Sequence, residues 1–220
     1  MTTRTFGNAA SRPAPTRRRL AGALALLPLA ALGGCQALGR QPFAVLQPRP
    51  VLPAISGAPV RWQLMVDTPS ASDLLDSTHI AVMPVAGVVK VYPDARWPEP
   101  VPLLLRSLVV RGFENSGRII GVGTPASGLS PDVALAMDLH DFQIENAGGA
   151  ARAAVRLHAR LLDPRSGRVL DAQPFVVEVP ALGETAQAAL PAFEHALSVL
   201  IPQLVVWTLR EGRELPQKKG

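Results

Sequence analysis

Residues 60–212 predict one α/β domain in which a mixed, largely antiparallel sheet is covered by two main helices. Three patterns predict it. Apolar and polar residues alternate strictly in several short runs, apolar residues recur at spacings of three and four in two longer runs, and Gly, Pro, Asn and Asp separate them.

Residues 61–67 alternate Trp62, Leu64 and Val66 with Arg61, Gln63 and Asp67, the period of a half-buried strand. Two further strands are expected at 79–83 and 87–92. After Trp97-Pro98-Glu99-Pro100, the residues Val101, Leu104, Leu105, Leu108 and Val109 share one helical face, with Arg106 and Arg111 off it. Prolines in the opening turn cost little there, because the first amides lack helical partners anyway, and Asn115-Ser116-Gly117 supplies the stop. A short strand follows at 118–124, then a Gly, Pro and Ser-rich loop to Pro131. Next, Val133, Leu135, Met137 and Leu139 share one strand phase while Phe142 and Ile144 take the other, which places a bulge near Asp141. A hairpin turn is read at 146–149. The following strand is the most regular, with Ala153, Val155, Leu157, Ala159 and Leu161 inward and Arg152, Arg156, His158 and Arg160 outward, as in a sheet with one wet face. After a turn at 163–167, residues 168–180 form the last strand, with Phe175, Val177 and Val179 inward. A closing helix over 184–210 carries Leu190, Phe193, Leu197, Leu200, Ile201 and Leu204 on one stripe; Glu194 and His195 argue against a membrane span, and Pro202 is expected to kink the helix or break it in two. Residues 213–220 form a polar tail.

The N-terminal residues 1–34 read as an export signal. Arg12 and Arg17-Arg18-Arg19 precede an apolar block from Leu20 to Leu32, and no acidic residue appears. At about 13 residues the block is short of the roughly 20 that span a bilayer. It ends in Leu32-Gly33-Gly34-Cys35, which resembles the bacterial lipobox, in which the cysteine thiol takes diacylglycerol before cleavage. Cys35 is the only cysteine, so an internal disulfide is impossible. General secretion and twin-arginine export both fit Thr16-Arg17-Arg18-Arg19-Leu20. Residues 35–59, with Pro42, Pro48, Pro50, Pro53 and Pro59, read as a lipidated tether. Extended, it would hold the domain roughly 75 Å from the head groups; the alternative is that it packs back on the domain. Phe43-Ala44-Val45-Leu46 within it has the makings of an edge strand.

The chain of 220 residues has a formal charge of +5. Five of its 22 basic residues precede Cys35 and none of its 17 acidic ones does, so the chain from Cys35 onward is neutral. That removes the main argument for nucleic acid, which needs a concentrated basic surface.

Few residues suggest chemistry. His79, His140, His158 and His195 are the catalytic or metal candidates; His140 and His158 fall on neighbouring strands beside Asp138 and Asp141, but no fixed spacing supplies three or four converging ligands. No metal, cofactor or catalytic residue is assigned. Gly121-Val122-Gly123 lacks the following helix that a phosphate loop needs. The row Arg152, Arg156, Arg160 would suit acidic head groups or an acidic partner if it were not simply a solvated sheet face. Tyr92, Arg96 and Trp97 bracket a tight loop feeding the first helix, with either a structural or a partner-contact role.

These features together resemble the ABC-type transport auxiliary lipoproteins, the PqiC-like family associated with mammalian-cell-entry (MCE) lipid transport systems. The residues that carry the resemblance are the lipobox at Cys35, the Phe43-Ala44-Val45-Leu46 run where the family tends to have Tyr-x-Leu, Val91-Tyr92, Arg96-Trp97-Pro98-Glu99-Pro100 ahead of a Leu-rich helix, and the closing helix over 186–207. The resemblance implies a non-catalytic subunit, without cofactor, on the periplasmic face of the outer membrane. Its implied partners are an MCE-type protein, a permease and a separate ATPase, and a homo-oligomer stays open. Gln36 after the cysteine agrees with the outer membrane, because the enterobacterial sorting pattern reserves inner-membrane retention for Asp. An envelope-assembly lipoprotein and a lipoprotein hydrolase are the rivals.

Overall fold

The computed structural model describes residues 42–146 and 149–212. The expected signal, the lipobox with Cys35, the first tether residues, the polar tail, and Ala147 and Gly148 of the expected hairpin turn lie outside the described residues. In order, the elements are β1 (Ala44–Val45), β2 (Val60–Val66), β3 (His79–Val85), β4 (Val88–Arg96), α1 (Val101–Ser116), β5 (Ile119–Gly123), β6 (Val133–Glu145), β7 (Arg152–Leu162), β8 (Val169–Pro180) and α2 (Ala186–Glu211). The strands form one eight-stranded mixed sheet, as the alternation predicts.

β6 is the spine. One of its edges is paired along its length with β7, which pairs in turn with β8, all antiparallel. Its other edge is shared in sequence: β2 runs parallel to Leu135, Ser70 bridges to Asp138, and β3 takes Gln143 to Glu145 in parallel. The sheet therefore forks, with β5 outside β2 and with β4 and then β1 outside β3. The long antiparallel ladders match the expected character of the sheet; the parallel ones join β2 to β5 and β6, β3 to β6, and β1 to β4, strands that are not neighbours in sequence. The register slips between Leu139 and Asp141, so Val133, Leu135, Met137 and Leu139 face the core before the bulge and Phe142 and Ile144 after it. The same slip carries Asp141, Gln143 and Glu145 to the opposite face, where Gln143 and Glu145 are buried and Glu145 meets the β7 arginines.

Both helices cover the apolar face. α1 begins with Pro100 at its N-cap and stops at Gly117, whose φ of 64° is the left-handed conformation that only glycine adopts without a Cβ clash. α2 is capped by Thr185, whose side chain accepts from the Ala188 amide at 3.2 Å. It runs unbroken to Glu211, so of the two outcomes expected at Pro202, a kink or a break, the break does not occur. Pro202 removes the amide that the Ser198 carbonyl would receive, but Leu200, Ile201, Leu204 and Val205 around it are all fully buried, and their packing holds the turn. α2 is apolar and long enough to cross a membrane by length and composition, yet its stripe is spent on the sheet and α1.

The proline-rich stretch 42–59 is part of the fold. Ala44 and Val45 pair with Ala95 and Arg96, and the Leu46 amide donates to the Arg96 carbonyl at 2.8 Å. The Arg49 amide donates to Glu194 Oε1 at 2.9 Å and the Val51 amide to Ser198 Oγ at 2.8 Å, fastening the stretch to α2. Asn115 donates to the Leu52 carbonyl, the Ile55 amide to the Ser116 carbonyl, and Arg118 to the carbonyls of Ser56 and Ala58. Of the two dispositions open to a tether, these residues adopt the packed one.

Gly112 marks where α1 and α2 touch: a Cβ built there would lie 2.5 Å from Ile201 Cγ2, a stiff β-branched side chain. Gly112→Ala is therefore predicted to lower stability by roughly 1–3 kcal/mol in urea unfolding. A gain of up to about 1 kcal/mol, the usual result for a solvent-facing helical glycine, would contradict that close approach.

Candidate functional site

Tyr92 and Arg96 do not sit in a tight loop, as the sequence suggested: Tyr92 is in the middle of β4 and Arg96 ends it, with Trp97 following directly. Trp97 is 2% exposed. Its ring meets Phe142 of β6 at 5.5 Å and Phe193 of α2 at 5.2 Å, both edge-on, and these two stack at 4.8 Å. The triad ties sheet to helix, so a partner cannot reach Trp97 without opening the core. Arg96 turns back on its own strand, donating to the carbonyls of Tyr92 and Ala95, and lies 5.5 Å above the Phe43 ring. The Tyr92 hydroxyl donates to the Glu184 carbonyl ahead of α2. Burial, then the charges of Glu184 and Asp94, pushes that phenol above its ordinary range.

The arginine row on β7 is occupied by the protein's own acids. Arg156 is the hub, donating to Asp141 at 3.1 Å, to both Glu145 oxygens at 2.7 and 3.2 Å, and to Glu178. Arg152 reaches Glu145 at 3.0 Å and Glu178 at 3.2 Å, while Arg160 pairs with Asp138 at 2.9 Å, which also accepts from Ser70. Three cations thus meet four carboxylates across neighbouring strands. An acidic head group or partner would have to displace carboxylates already in place, which counts against that use of the row. The bulge makes the network, because without it Asp141 and Glu145 would point into the core.

The histidines do not converge. His158 lies opposite Asp138, which is engaged by Arg160, and His140 sits exposed at the bulge. Among the described residues no group of three or more potential metal ligands forms. His79 Nδ1 lies 3.2 Å from Ser77 Oγ, a contact the sequence reading did not single out. That hydroxyl already donates its proton to the Leu74 carbonyl at 2.7 Å, so it faces the imidazole with a lone pair. The pair is a turn, not a nucleophile with its base. Gly123 leads into a single 3-10 turn at Pro125–Ser127 and no helix, as the sequence implied.

A groove of about 570 Å³ lies between the stretch 47–50 and the exposed side of α1, with Arg49, Glu99, Leu104 and Arg111 among its walls. Its mixed lining suits a bound segment better than a reaction.

Arg156 and Arg152 hold the Glu145 carboxyl down, from 4.5 to about 2, against the opposing effect of its burial. A depressed folded value stabilises above the unfolded pKa and is lost as pH falls through the folded one. Unfolding free energy is predicted to hold from neutrality to about pH 5 and to fall from there toward about pH 2. Glu145→Gln should flatten that fall while lowering stability at pH 7, as read by urea titrations across pH; an unchanged acid slope would contradict the network.

A family model for the ABC-type transport auxiliary lipoprotein component matches residues 45–205. Among solved structures, protein XCC0632 from Xanthomonas campestris is 35% identical, with a TM-score of 0.73, over 77% of this chain and 97% of that one. An uncharacterized protein shares the fold at 14% identity and a TM-score of 0.56, over 76% and 99% of the two chains. No curated protein matches. With the family model running from β1 into α2 and a solved relative identical at about a third of its positions, this chain belongs to the family of ABC-type transport auxiliary lipoprotein components.

Proposed function

We propose that this protein is the non-catalytic, lipid-anchored subunit of an MCE-type ABC system that moves lipids across the cell envelope, held by acyl chains on Cys35 at the periplasmic face of the outer membrane. The observation that carries the reading is the match of the transport-auxiliary family model across the described domain from its first strand into its last helix. The sequence features agree with it. Leu32-Gly33-Gly34-Cys35 provides the acylation site, and Gln36 lacks the aspartate that enterobacterial sorting reads as retention in the inner membrane. ATP is hydrolysed by another subunit, and the MCE-type protein and permease are the neighbours this one serves.

Affinity capture from detergent-solubilised envelopes should recover an MCE-type protein, a permease and an ATPase. Recovery of the tagged protein without any of the three would contradict the transport role. Cys35→Ala should leave the precursor uncleaved or release the product from membranes washed with salt, as fractionation and mass measurement report. Normal processing with salt-resistant membrane association in that variant would remove the anchor assignment.

A further inference from the structure

One rung crosses the sheet near one end: Met83 pairs with Glu145, Glu145 with Arg152, and Arg152 with Pro180. Beyond that rung lie the β3–β4 turn, the β6–β7 turn and the start of the link from β8 to α2. Their described residues as far as Gly183 carry no charge, and Glu184 is the first charge of the link. From Ile80 to Val89 no side chain is charged or polar, and Lys90 is the first charge on β4. The apolar side chains at this end are open to solvent: Val85 is 59% exposed, Val88 43%, Val89 41% and Leu182 85%. Such a run facing water is costly unless something covers it. The opposite end is ordinary, with Asp163, Arg165 and Arg168 in the β7–β8 turn and Asp132 ahead of β6.

β1 indicates what covers the apolar end. It runs parallel to β4, so the chain comes into Ala44 from the side of the β3–β4 turn. Ala44 lies opposite Ala95, seven residues of β4 from Val88, about 23 Å at strand rise. Ala44 lies nine positions after Cys35, a reach of up to about 30 Å. A lipidated Cys35 can therefore place its bilayer at the level of this end, whereas a chain coming from a membrane at the charged end would have to pass Ala44 and turn back to enter β1 in its observed direction.

Resting on the anchor reading above, we propose that the uncharged end formed by the β3–β4 turn and Leu182 is a second membrane contact, which inserts into the head-group layer of the bilayer that holds the acyl chains of Cys35. Val85, Val88, Val89 and Leu182 enter the interface and Lys90 meets the phosphates at its rim. The domain then stands on the membrane with its β7–β8 turn pointing away.

The processed, lipidated full-length protein provides the test, because a thioether at Cys35 leaves an introduced cysteine as the only reactive thiol. Val88→Cys, Leu182→Cys and, as the far-end control, Arg165→Cys are labelled with a polarity-sensitive nitrobenzoxadiazole probe and reconstituted into phosphatidylethanolamine–phosphatidylglycerol vesicles. Blue-shifted emission at 88 and 182, lost on adding spin-labelled lipid, with a water-like signal at 165, is expected. Water-like signals at all three positions, or a blue shift at 88 and 182 that spin-labelled lipid does not quench, would overturn the membrane contact; the second pattern indicates a protein neighbour or a second copy. Mass measurement of the same samples separates the two ideas. Absence of acyl mass on residue 35 overturns the anchor and this inference together, while an acylated protein with water-like probes overturns this inference alone.

Discussion

The architecture depends on β6, thirteen residues long, having hydrogen-bonding partners on both edges. A strand of that length buried under two helices cannot leave amides or carbonyls unpaired without a cost comparable to losing each hydrogen bond. β7 satisfies one edge alone. No single strand satisfies the other, which is covered by β2, the Ser70 bridge and β3 in turn. β2 and β3 both reach β6 in parallel, and the link from β4 through α1 to β5 carries the chain from one branch of the fork to the other, laying a helix on the apolar face. The bulge in β6 follows from the same demand. It shifts phase once, so that both halves of the strand face the core with apolar residues and the outer face collects the acids that neutralise the β7 arginines.

The second consequence concerns reach. Pro42 to Pro59 would serve as a spacer if free, since prolines extend the chain without regular hydrogen bonding. Here their backbone groups are satisfied by α2, α1 and Arg118, and Leu46 and Pro48 are buried. The domain is thereby drawn toward whatever holds the preceding residues.

Much of the fold was legible in the sequence because it is written in local periods. The alternation in 61–67 and 152–161, the three-and-four spacing after Pro100, the phase change near Asp141 and the glycine stop at 117 each report a geometry that acts within a few residues. What was not legible depends on residues far apart. Nothing in Trp62 or Leu64 says that their strand will pair in parallel with 133–135, and nothing in Arg49 or Val51 says that their amides will find Glu194 and Ser198 about 145 residues away. Tyr92 to Arg96 reads as a loop through Pro93 and Asp94, yet an edge position tolerates both, and β1 pairs only at Ala95 and Arg96. Pro202 reads as a break because propensity is local, whereas the burial that overrides it is tertiary. For the arginines the row itself was visible, but its carboxylate partners became apparent only once β6, β7 and β8 were set side by side.

The central claim is that the proline-rich stretch belongs to the folded domain, and amide hydrogen exchange tests it most directly. The amides of Leu46, Arg49, Val51 and Ile55, each donating to the domain, are predicted to exchange far more slowly than in an unfolded peptide, and to lose protection together with the helices they bind. Exchange of all four at unfolded-peptide rates, while β6 and β7 stay protected, would show a free tether and contradict the account.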